Sequence, residues 1–178
     1  QKVITTPLTF AATANSVLYC GGELVFVDID PETYLLDYQK VRALLENAKE
    51  GEFSGIISVD FAGRVCNQEA FKDLSKKHNL WYLSDSCHSP GGYFIDSNDN
   101  NVKSGSNRYS DASIFSFHPV KHIAAGEGGI ITTNDEKLYT KLLLLRSHGI
   151  EKRPQKFVAS KSEAFGNFNE TDEGYPGW

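Results

Sequence analysis

Six short runs of apolar, largely β-branched residues recur along the chain, at 3–6, 24–30, 55–61, 80–85, 112–117 and 129–133. Most are separated by stretches with helical spacing, and this alternation constrains the fold more than any other feature. LVFVDID and GIISVDF are nearly continuous apolar runs, as expected of strands buried on both faces. The first intervening helix is predicted over 10–19, with Ala11, Ala12, Ala14 and Leu18 on its inward face and Gly21 and Gly22 as its stop. Asp37 is positioned to cap a helix carrying Val41, Leu44, Leu45 and Ala48, closed by Gly51. Asn67 is positioned to cap one carrying Ala70, Phe71 and Leu74, with Lys76, Lys77 and His78 in its last turn and Asn79 as its stop. A last helix follows Asp135, with Leu138, Leu142 and Leu145 before Gly149. Strands alternating with helices predict an α/β fold, a three-layer domain with a mainly parallel central sheet.

Composition excludes several functions. A net charge of −5 argues against nucleic acid as the main partner, and no apolar run approaches a membrane span. Three cysteines without paired spacing fit reduced thiols in the cytoplasm. With 178 residues the length suits one domain. Both ends read as cut, so a longer protein is expected. Residues 94–111 are rich in Asn, Ser, Asp and Gly and read as a surface excursion, a hairpin tolerant of insertion. Residues 151–178 read as an irregular polar tail.

In open α/β sheets, ligands bind beyond the carboxyl ends of the strands. Four segments lie there: 7–10, 60–63, 85–88 and 116–121. Lys121, between two strands, is either solvated or desolvated enough to act as an amine nucleophile. Asp85 is either a capping aspartate before a turn or a carboxylate for a cationic cofactor ring nitrogen, as pyridoxal phosphate (PLP) sites use. Ser116 either bonds its own backbone or donates to a phosphate. Phe10 is either a core residue or a ring that stacks on a flat cofactor. Gly126, Gly128 and Gly129 suggest a tight turn or a close backbone approach. Cys87 and His88 lack partners at metal-ligand spacing, and no base is placed to activate the thiol, so no metal site is expected.

The segments PLTFAATANSVLYCGGELVFVDIDPETY, VDFAGRVCNQEAF, DSCHSPGGYF, SDASIFSFHPVKHIAAGEGGIITTND and LRSHGI, in this order, resemble the DegT/DnrJ/EryC1/StrS family of PLP-dependent sugar aminotransferases. SFHPVKHIAAGEGG is most similar to the branch acting on nucleotide-linked 4-keto-6-deoxy hexosamines, on the route to pseudaminic-type sugars. The resemblance implies a fold type I large domain, with residues 1–150 forming part of the PLP-binding unit. It implies that Lys121 binds PLP covalently and moves a proton, and that Asp85 holds the ring nitrogen. His88 would lie near the phenolic oxygen, Phe10 would stack on the ring and Ser116 would bind the phosphate. It also implies a nucleotide-sugar substrate, glutamate as the amino-acid donor, and a homodimer. Family features outside this sequence include an upstream Gly-Thr-Ser-type phosphate cradle, a downstream asparagine reaching the partner's phosphate, and a small C-terminal domain. A truncated copy serving as a scaffold is the alternative expectation.

Overall fold

A computed structural model describes residues 1–150, so the tail expected over 151–178 lies outside the described residues. The described residues fall into two units, residues 1–134 and a second that begins at Asp135.

In the first unit the elements are β1 (Lys2–Thr5), α1 (Ala11–Tyr19), β2 (Glu23–Phe26), α2 (Tyr38–Glu46), β3 (Phe53–Val59), α3 (Gln68–Lys77), β4 (Trp81–Asp85), β5 (Tyr93–Ile95), β6 (Asn101–Lys103), β7 (Ala112–Ser116) and β8 (Gly129–Thr132). Six strands form the main sheet in the order β2-β1-β3-β4-β7-β8. All pairings are parallel except β7 with β8, which is antiparallel.

The pleat divides the strand side chains between two cores. Ile4, Ile56 and Tyr82 join Val41 and Leu45 of α2 and Phe71 and Leu74 of α3. Their neighbours Val3, Ile57 and Leu83 pack with Val17 of α1 on the opposite face. Both faces are thus covered, which is why the central strands read as continuous apolar runs. The helices begin where the capping residues predict. Asp37 accepts hydrogen bonds from the Gln39 and Lys40 amides, and Asn67 accepts one from the Ala70 amide. After α3 the chain turns at Asn79, whose φ of 55° is left-handed.

Three expectations need correction. β2 spans only Glu23–Phe26 and is half-exposed, because it is the outer strand and only partly covered by the flanking helices. β8 is likewise an edge strand, with Ile130 and Ile131 about half-exposed. In α1 the inward residues are Thr13 and Val17, while Ala11, Ala12 and Leu18 face outward. Alanines supply little apolar area to orient a helix, and Thr13 finds a polar partner beneath it, described below.

The 94–111 excursion is a hairpin, as predicted, but it is tied down more firmly than a plain loop. β5 and β6 pair antiparallel, and Phe94 and Val102 form a small core with Val65. The Asp96 side chain has no exposed surface and pairs with Arg108 at 3.3 Å. It also accepts hydrogen bonds from the Asn98 and Asn100 amides and from the Tyr109 hydroxyl. Desolvation pushes this carboxyl up, but the Asn100, Asn98 and Tyr109 hydrogen bonds outweigh it and bring the pKa to about 2. Such local side-chain bonds order a segment without leaving apolar periodicity. Because its pKa is depressed, Asp96 stabilises the hairpin above the ordinary 3.8 and ceases to do so as pH falls toward about 2. Asp96→Ala is expected to speed amide exchange of residues 93–103 at pH 7, with the difference from wild type closing near pH 2; equal exchange at pH 7 would contradict it.

In the second unit, α4 (Glu136–Arg146) is capped as expected, Asp135 accepting from the Lys137 and Leu138 amides. Gly149 follows with φ 74°.

Candidate active site

The carboxyl ends of β3, β4 and β7 lie side by side, as their pairing requires. Asp85 closes β4, opposite Val59 of β3 and Ile114 of β7. Its Oδ1 accepts from the Cys87 amide at 3.2 Å, which is the local turn contact of the simpler sequence reading. Its Oδ2 accepts from the Thr13 hydroxyl at 2.7 Å, a contact the sequence reading missed. Thr13 is in turn 2.7 Å from the Thr9 hydroxyl. The available signal was a pair of threonines four residues apart, which puts two hydroxyls on one face at the start of a helix.

His88, three residues on, is partly buried, and its ring lies 5.9 Å from that of Phe61. Its pKa is lowered from 6.5, first by desolvation and then by the positive charge of Lys121, against the opposing pull of Asp85. Both effects favour the neutral imidazole. Cys87 carries a thiol pushed up to about 12 by burial and by the Asp85 carboxylate, with Lys121 opposing. A thiol so protonated is no nucleophile at neutral pH, in line with the expectation from sequence. Asp85, Cys87, His88 and Lys121 thus share one electrostatic neighbourhood.

Ser116 ends β7 opposite Gly129. Its Oγ accepts from the His118 amide at 3.3 Å, which leaves the hydroxyl proton available to another acceptor. Lys121 is partly buried in the turn after β7, its amide donating to the His118 carbonyl at 2.9 Å. The close approach expected of the glycines is real at Gly129, where a Cβ would meet the Phe115 carbonyl oxygen at 2.9 Å. Phe10 is 76% exposed, which removes the core reading. Its extended backbone precedes α1, so it joins the group only through the helix that carries Thr13.

Asp60, at the end of β3, received no role from sequence. It is wholly buried. Its Oδ1 accepts from the Cys66 amide at 2.9 Å and its Oδ2 from the Ser89 hydroxyl at 2.6 Å. Burial raises its pKa to about 6, against the opposing hydrogen bonds of Ser89 and Cys66. Since the folded pKa lies above the ordinary 3.8, stability linked to Asp60 is fully present below that value and is lost as pH rises through about 6. The neutral variant Asp60→Asn is expected to raise the melting temperature at pH 8, the gain vanishing below the ordinary value of 3.8. A gain independent of pH would contradict this assignment.

Among the described residues no group of three or more His, Cys, Asp or Glu side chains could hold a metal ion, and no helix is long and apolar enough to cross a membrane.

A mainly parallel sheet with helices on both faces is the fold type I architecture of the PLP-dependent aminotransferases. The chain belongs to the DegT/DnrJ/EryC1/StrS aminotransferase family, whose sequence profile matches residues 1–171. It is 43% identical over 152 residues to the UDP-4-amino-4,6-dideoxy-N-acetyl-beta-L-altrosamine transaminase of Campylobacter jejuni, covering 85% of this chain and 38% of that one. The structure of Helicobacter pylori PseC, an aminotransferase involved in pseudoaminic acid biosynthesis, matches with 39% identity and a TM-score of 0.73, over 85% of this chain and 38% of that one. The structure of NtdA from Bacillus subtilis, with bound cofactor PMP, matches with 27% identity and a TM-score of 0.73, over 90% of this chain and 34% of that one. The chain therefore spans 38% of the length of the first curated relative it matches.

Proposed function

We propose that the full-length protein is a PLP-dependent aminotransferase that moves an amino group, from glutamate, to the keto carbon of a nucleotide-linked sugar. Residues 1–150 contribute part of its cofactor-binding large domain, and residues 151–178 lead toward further elements. The observation that carries this reading is the family match over residues 1–171, beside which Lys121 and Asp85 both act electrostatically on His88. The names of the relatives support the substrate class, and the PMP-bound relative supports the cofactor.

The residues present fit such a cofactor chemically. Asp85 offers an acceptor to a cationic ring nitrogen, and its two existing donors, Thr13 and the Cys87 amide, hold it in place. Phe10 offers a free aromatic face. Ser116 retains a hydroxyl proton for a phosphate oxygen. Bound PLP supplies an aldehyde for amino-group transfer and a ring that withdraws electrons from the reacting carbon. In this assignment the Lys121 amine would hold the cofactor and would serve as the base that takes a proton from the donor's reacting carbon and the acid that gives one to the sugar carbon. His88, its charged form disfavoured by burial and by Lys121, would offer a hydrogen bond to the cofactor without adding a charge that competes with Lys121. We read the protein as a cytoplasmic homodimer, on its free thiols and the family's shared sites.

The full-length protein incubated with PLP, glutamate and a nucleotide-linked 4-keto-6-deoxy-hexosamine is expected to yield the amino sugar and 2-oxoglutarate in equal amounts by mass spectrometry. Absence of both products across UDP-, GDP- and TDP-linked keto sugars would overturn the assignment.

A further inference from the structure

Asp60 grips both ends of the short segment that carries Asp85 and His88. Its backbone N–H donates to the Asp85 carbonyl at 2.9 Å. Its side chain, through Oδ2, takes the Ser89 hydroxyl at 2.6 Å. Between these points the chain makes one turn, closed by the Ser89 amide on the Ser86 carbonyl at 3.0 Å. A single buried residue on β3's end thus fixes where the segment leaves β4 and where it goes next.

The grip extends outward on both sides. Ser89 is 2.8 Å from the Ser104 hydroxyl, just past β6, which ties the base of the hairpin to the same point. Ser86 is 3.0 Å from the Ser84 hydroxyl, which accepts from the Gln68 side-chain amide at 3.0 Å. The other Asp60 oxygen holds the Cys66 amide, just before α3. Asp60, Gln68, Ser84, Ser86 and Ser89 are all essentially inaccessible to solvent. Among the described residues Gln68 Oε1 lacks a partner, but the remaining buried groups of the network are hydrogen-bonded and admit few alternative arrangements, because each displaced group loses a partner that water cannot replace.

We infer that Asp60 is a positioning residue for the candidate site, holding the turn at 86–89 so that Asp85 and His88 keep the orientation that the cofactor requires. The inference rests on the cofactor assigned above. Asp60 itself touches no reacting atom in this account. It acts through Ser89 and through the Asp85 main chain. A side chain that only stabilised the fold would leave cofactor affinity unchanged well below the melting temperature, and a positioning residue changes it.

The test compares Asp60→Ala, Asp60→Asn and Ser89→Ala with wild type in the full-length protein. PLP is titrated by its absorbance, and amide exchange is followed at residues 86–89. Asp60→Ala is expected to weaken PLP binding at least about tenfold, to shift the pH midpoint of the bound-cofactor band and to speed exchange in the turn. Asp60→Asn, which can still accept from Cys66 and pair with Ser89, is expected to restore binding to within about threefold of wild type. If Asp60→Ala does not fold, Ser89→Ala carries the test, and the same direction of change is expected. Wild-type affinity and exchange in whichever of these folds would overturn the proposal. If wild type itself binds no PLP, the cofactor assignment fails, and the exchange rates of the turn still decide whether Asp60 holds it.

Discussion

Lys121→Ala is expected to lower aminotransferase turnover at least about a thousandfold and to abolish the near-visible absorbance of bound cofactor, while leaving the melting temperature unchanged. The first two effects follow from asking one amine both to hold the cofactor and to carry the proton, since a positioned acid–base group is worth roughly 10²- to 10⁴-fold. The third follows from the fold. Among the described residues the Lys121 side chain makes no hydrogen bond or ion pair, and its turn is held through the backbone, by the Lys121 amide on the His118 carbonyl. Its positive charge lowers the pKa of His88, so the variant should also show a raised His88 pKa by NMR titration. Substantial turnover by Lys121→Ala would remove Lys121 from the chemistry.

Asp85→Asn is the second large effect. The variant keeps the shape of the side chain and an oxygen to accept from either Thr13 or the Cys87 amide, so the fold should persist. It removes the negative charge that would keep a cofactor ring nitrogen protonated. Turnover is expected to fall by about 10²- to 10⁴-fold, with PLP still bound, because the electron-withdrawing character of the ring depends on that proton. Removing the same charge should lower the Cys87 and His88 pKa values together, since Asp85 raises both. An active Asp85→Asn with unchanged His88 titration would contradict the role assigned to Asp85.

The sheet was legible because its central strands are buried on both faces, so GIISVDF leaves a run of apolar residues that tolerates few other readings. The edge strands were less so. LVFVDID is as apolar as its neighbours, yet only Glu23–Phe26 pairs as a strand, because sequence does not say which strand stands outermost. Helix starts were legible where a cap makes a specific hydrogen bond, as at Asp37, Asn67 and Asp135. The inward face of α1 was not, since an alanine-rich helix has a weak orienting stripe and Thr13 was drawn inward by Asp85.

The candidate residues were found by the strand-end rule and by resemblance, and the two agree at Phe10, Asp85, His88, Ser116 and Lys121. Thr13 escaped both, and Asp60, although it opens the strand-end segment 60–63, received no role. Each acts through a partner distant in sequence, Thr13 through Asp85 and Asp60 through Ser89, and a single chain read linearly does not show such pairs. The order within 94–111 escaped for a related reason, because Asp96 organises it through polar bonds that leave no apolar pattern.

The central claim is that Lys121 is the residue that holds the cofactor. Full-length protein saturated with PLP, reduced with borohydride and digested, should yield one pyridoxyl-labelled peptide by mass spectrometry, with the label on Lys121. A label on another lysine, or no labelled peptide from protein shown to be folded, would contradict the account.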